Sequence, residues 1–69
     1  MSPVEIKIAM MRKGVSQREL ARKLGVTQPT IHHIIYKRAV SARIMPVIAE
    51  AIGQDVKYVF PEHFLKKAS

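Results

Sequence analysis

Twenty residues, QRELARKLGVTQPTIHHIIY from Gln17 to Tyr36, leave this chain little freedom in how it folds. Leu20, Ala21 and Leu24 fall on one side of a first helix. Gly25 follows at once, where a left-handed backbone ends that helix at little cost. Val26 is apolar and fills the turn. Thr27 is placed to cap a second helix by accepting a hydrogen bond from a free backbone N–H. Pro29 lies in that helix's first turn, where its missing donor costs little. Ile31, Ile34 and Ile35 form the buried stripe of the second helix, and Ala21 is small where the two helices cross. An ordinary helical hairpin with a glycine stop does not need a small residue, a Gly and apolar residues at these offsets together. A helix-turn-helix does.

The flanking sequence predicts an all-α domain of five helices, about 2–13, 17–24, 28–36, 44–52 and 56–60, with no strand pattern, repeat or low-complexity tract. Ser2-Pro3-Val4-Glu5 and Ser16-Gln17-Arg18-Glu19 are two capping boxes, in which Ser and the Glu three residues later cap reciprocally. The first helix ends near Gly14, with Ile6, Ala9, Met10 and the stem of Lys13 inward. Lys37 to Ala42 reads as a basic loop. Arg43 or Ile44 leads the fourth helix, because Pro46 belongs in a first turn; Val47, Ile48, Ala51 and Ile52 are its expected core stripe and Gly53 its stop. Asp55 caps the fifth helix and Pro61 halts it. Residues 1–64 are expected to form a single domain and 65–69 a flexible basic tail, while Phe60 and Phe64 could fold back on the core.

Sixty-nine residues with 48% hydrophobic content suit one small core. The absence of Cys excludes disulfides and thiolate metal sites. No apolar run approaches the roughly 18 residues of a membrane span, and Glu5 and Lys7 interrupt the N-terminal segment, so it is not read as a secretory signal. The expected location is cytoplasmic and nucleoid-associated. The net charge is +7, and its placement is informative. Up to Arg43, nine Lys or Arg face only Glu5 and Glu19; from Ile44 onward, three of each sign cancel. A solvated surface usually mixes signs, so a polyanion partner explains the first half better. No Cys, no Gly-rich phosphate loop and no paired acids at catalytic spacing are present, so no enzyme is expected. No cofactor or small-molecule ligand is expected either.

VSQRELARKLGVTQPTI, about a quarter of the chain, resembles the lambda-repressor/Cro family of compact five-helix DNA-binding domains. A wider likeness, through SPVEIKIAMMRKG, the motif, and IAEAIGQDVKYVFPEHF, is to Ner/Nlp-like regulators of transposable phages and their bacterial relatives. In that group an IA-x-A-[IL]-G helix precedes a short helix and an aromatic-Pro ending, here Phe60-Pro61 and Phe64. The resemblance implies a sequence-specific double-stranded DNA-binding transcriptional regulator of the phage or prophage Cro/Ner-like repressor kind. Two positions depart from the pattern. Where many Cro-like domains pair an Arg with a Glu, this chain has Met10 and Ile35, for which apolar packing is expected. Pro29 also stands where a polar base reader is common.

On this reading helix 28–36 enters the major groove N-terminal end first. Gln28 is the clearest base reader, since Gln bonds bidentately to adenine. Pro29 offers only apolar contact, His33 can donate to guanine N7 or a phosphate, and His32 belongs at the groove wall. Gln17, Thr27, Thr30, Tyr36, Lys37, Arg38 and Arg43 are the DNA-backbone candidates. For Thr27 capping is the use expected first, and Tyr36 is equally placed for packing under the basic loop. Adjacent His32 and His33 point about 100° apart and cannot easily share a metal ion, so no metal is expected. A module of this size buries about 600–1,000 Å² on DNA. Weak homodimerisation on DNA is therefore expected, on half-sites about 34 Å apart. The candidate surface is the fourth and fifth helices plus the tail, through residues such as Val56, Phe60 and Phe64, although for any one of them closing the monomer core is the role expected first. The alternative reading is an antitoxin or adaptor that uses the same fold mainly to bind protein.

Overall fold

A computed structural model describes residues 1–64, so the expected tail at 65–69 and the Phe64 side chain lie outside the described residues. Five helices occupy the expected places: α1 (Pro3–Arg12), α2 (Gln17–Leu24), α3 (Gln28–Ile35), α4 (Ile44–Ala51) and α5 (Val56–Val59). Pro61 does more than stop α5, because it opens a further single turn, α6 (Pro61–Phe64). Proline suits that position, where a helix needs no N–H. No strand occurs among the described residues.

Both capping boxes form. Ser2 Oγ accepts from the Glu5 N–H at 3.2 Å while Glu5 Oε1 accepts from the Ser2 N–H at 2.8 Å, and Ser16 and Glu19 repeat the exchange. Four helices end in a similar way, with a left-handed residue directly after α2 and one position further on after α1, α3 and α4, and two N–H groups folded back onto the last turn. Gly14, Gly25 and Gly53 supply that conformation for α1, α2 and α4. For α3 it is Lys37, at φ 63°. Its N–H donates to Ile34 O at 3.1 Å and that of Arg38 to His33 O at 2.8 Å. The strain of a left-handed non-glycine residue is about 1–2 kcal/mol.

The core is wholly apolar, and no polar or charged residue is buried among the described residues. Ile6 and Met10 of α1, Leu20 and Ala21 of α2, and Ile31, Ile34 and Ile35 of α3 meet the second half of the chain there. Met10 and Ile35, at the positions of the missing ion pair, both belong to this cluster. Two expectations need correcting, and one contact was not foreseen. α4 buries Ile44, Met45, Ile48 and Ala49, with Ile52 just after it, whereas Val47 and Ala51 are only half-buried. Lys13 is exposed, its stem lying over Gly53 rather than in the core. Ser41 caps α4 from outside the helix, its Oγ accepting from the Ile44 N–H at 3.1 Å.

Lys37 carries a prediction. Its ammonium pairs with Glu62 of α6 at 2.7 Å, and this hydrogen bond holds the Glu62 carboxyl below the usual carboxylate range. An exposed pair of this kind contributes about 0–1 kcal/mol. Relief of the left-handed strain outweighs it, so Lys37→Gly is expected to stabilise the domain by about 0.5–1 kcal/mol, or roughly 2–8 °C in Tm for a domain this small. Thermal denaturation checks this; a lower Tm would mean that the Glu62 pair is the larger effect.

Candidate nucleic-acid interface

Three buried isoleucines hold α3 from behind, so its other side faces solvent. Gln28 and Pro29 at its leading end are exposed, as is His33, while His32 is half-buried. A shallow groove lined by Gln17, Gln28, Pro29 and His32 joins the start of α2 to this face. Four residues proposed from sequence for DNA contact, from two helices, thus border one depression.

Gln17 follows the Ser16 cap. The capping exchange occupies the N–H groups of Ser16 and Glu19 and leaves those of Gln17 and Arg18 without a partner among the described residues. Free N–H groups at a helix start, reinforced by the helix dipole, suit an anionic oxygen. Thr27 opens α3 through its backbone alone, since its side chain makes no capping hydrogen bond. This corrects its expected capping role. Its Oγ1 instead pairs with Thr30 Oγ1 at 2.8 Å. The pair consumes one hydroxyl proton and leaves the other to donate elsewhere.

The far end of α3 carries an aromatic ladder. The His32 ring lies 4.4 Å from that of Tyr36, tilted by 31°, and the His33 ring is 6.2 Å from His32, nearly edge-on. Tyr36 is half-buried and turns toward α1, where Lys7 Nζ donates to its hydroxyl at 3.4 Å and sits 5.6 Å from its ring centroid. Tyr36 therefore packs on Lys7 and His32, which makes it a support for the imidazole. Sequence reasoning did not include Lys7 in the site. It lies 29 positions from Tyr36, and no local pattern marks such a pair.

Arg38 and Arg43 are exposed at the two ends of the loop that follows α3. The hydrogen bond from the Arg38 N–H to His33 O fixes where that loop leaves the helix. Just before Arg38, Lys37 is half-buried and pairs with Glu62 at 2.7 Å. Phe60 and Val56 take the core-closing role expected first for them rather than that of a contact surface. Phe60 is 0% exposed and completes the monomer core, and Val56 is half-buried against it.

A small apolar-cored helix pair, with the second helix backed by isoleucines and bare on its outer side, is the architecture of one family. The Helix-turn-helix family model matches residues 6–59, nearly the whole described chain. The chain belongs to the lambda-repressor/Cro-like helix-turn-helix family. No solved structure matches it significantly. Members of this helix-turn-helix family are DNA-binding regulators that take double-stranded DNA as their partner. In this member α2 and α3 are the motif, with Gly25 and Val26 as its turn, and α1, α4 and α5 brace it. Among the described residues no helix is long and apolar enough to cross a membrane.

Proposed function

We propose that this chain is a sequence-specific transcriptional regulator of the phage or prophage Cro/Ner-like repressor kind, with residues 1–64 acting as one DNA-binding domain. The observation that carries the reading is the bare outer face of α3, with Gln28, Pro29 and His33 exposed beside the Gln17 groove and Arg38 and Arg43 on its rim. α3 enters the major groove, where Gln28 bonds a base edge and His33 contacts guanine N7 or a phosphate. Gln17, Thr30 and the two arginines hold the phosphates on either side and set the register. The charge excess of residues 1–43 draws the domain to any duplex before sequence is read.

Selection of bound sequences from randomised duplex, followed by gel shifts on the selected and on random DNA, tests the reading. A recurrent short motif bound more tightly than random duplex is the expected result. Failure to retain random duplex even at low salt would overturn it and favour a protein partner. Arg38→Ala gives a second check. Its loss of affinity is expected to be equal on selected and random sequences. The slope of log affinity against log salt is expected to fall by about 0.9, the contribution of one phosphate. A loss confined to the selected site would make Arg38 a base reader instead.

A further inference from the structure

We infer that the outer face of α1 is the surface through which two copies of this chain pair. The inference rests on the reading of the domain as one that works in more than one copy on DNA. Val4, Ile8 and Met11 recur at helical spacing on α1 and are 60, 43 and 74% exposed. A single exposed apolar side chain is ordinary, whereas three in one stripe mark a contact surface. Beside them runs a groove between α1 and the corner of α4 and α5, floored by Ala9 and Ile52, with Tyr58 60% exposed on its far side.

Charge identifies the occupant. Glu5 and Arg12 border the same groove, three residues before and four after Ile8, together with Lys13, whose side chain lies over Gly53, and Met1, whose ammonium donates to Tyr58 O and Val59 O. Neither Glu5 nor Arg12 has an ion-pair partner among the described residues. Glu5 spends one oxygen on the Ser2 N–H, and its other oxygen accepts nothing there. If α1 lies antiparallel to a copy of itself with Ile8 at the two-fold axis, each Glu5 faces the partner's Arg12 and the helix dipoles oppose favourably. A parallel two-fold pair would put the two Glu5 at one height on opposite flanks, about 10 Å along the axis from either Arg12, and a lipid surface would give Glu5 no partner. The pattern is self-complementary, so a second copy of the chain is the occupant. α1 spans ten residues, or about 15 Å. A pair of such helices falls below the roughly 1,200 Å² of a stable interface. Two copies of net charge +7 also repel, so pairing is weak in free solution and strengthens where duplex phosphates neutralise them.

The chain has no cysteine, so Ile8→Cys introduces a single thiol. With a duplex that carries two half-sites, a short bismaleimide is expected to join Ile8→Cys into dimers and to leave Arg18→Cys, on α2, monomeric. In sedimentation, Met11→Glu and Arg12→Glu are each expected to weaken self-association by about tenfold or more, because each sets like charge or an unpaired charge in the contact. Both residues are exposed, so circular dichroism and melting should match the parent chain. Equal cross-linking of the two cysteine variants, or sedimentation unchanged by Met11→Glu, would overturn the inference. So would a chain that stays monomeric with and without DNA yet still binds duplex, and in that case the DNA reading survives. A dimer that binds no duplex would sink the DNA reading and leave the inference standing. Binding to phosphatidylcholine–phosphatidylglycerol vesicles that Ile8→Glu abolishes, in a chain otherwise monomeric, would assign the face to lipid and overturn pairing.

Discussion

Phe60→Ala is expected to leave the chain largely unfolded at room temperature. Phe60 is fully buried and is among the largest side chains of the core. Truncating a buried Phe costs about 3–5 kcal/mol, through lost transfer energy and the cavity left behind. A domain of this size has only about 3–10 kcal/mol of stability in all. Nor can the small core collapse easily around the gap, because Val59 beside it and Ile52 before it are already fully packed. Tyr58→Ala, two positions earlier at an exposed site, is the control and should change monomer stability by no more than about 0.5 kcal/mol. Thermal melts followed by circular dichroism compare the two. A cooperative melt for Phe60→Ala within about 1 kcal/mol of the parent chain would contradict the burial described for it.

Gln28→Ala is expected to lose about 1–3 kcal/mol on the selected site, roughly 5- to 150-fold in Kd, and little on random duplex. The side chain is exposed at the leading end of α3 and makes no hydrogen bond among the described residues, so its amide is available to a base. Its truncation should leave stability untouched, which separates loss of reading from loss of fold. The discriminating measurement is the ratio of affinities for selected and random duplex at one salt concentration. An equal loss on both would reassign Gln28 to positioning, and the burden of base reading would then fall on His33.

Much of this was legible because the decisive signals are local. Ser2 and Ser16 with their Glu partners mark two helix starts, and glycines mark three helix ends, so α2 lies where its sequence puts it and the other boundaries move by about one residue. The outer and inner faces of α3 were equally readable, since three isoleucines give its wheel a clear phase. α4 was not phased correctly, because IMPVIA is apolar on every side and its periodicity cannot say which side is inward. The end of α3 was hidden for another reason. Lys37 adopts a conformation that glycine usually announces, and only the tertiary partner Glu62 shows where its side chain goes. The Lys7–Tyr36 contact belongs to the same class, because a short sequence window cannot join residues 29 positions apart.

If the outer side of α3 reads the operator as proposed, it has a consequence for how such a protein changes its target. Gln28, Pro29 and His33 hold nothing else in place: the fold is secured from the opposite side by Ile31, Ile34 and Ile35. Those three positions can therefore vary almost without penalty to folding, and a lineage could acquire a new operator through a few codon changes while its scaffold stayed the same. His32 is less free, because its ring rests on Tyr36, so drift there should be slower than at its two neighbours on the exposed surface.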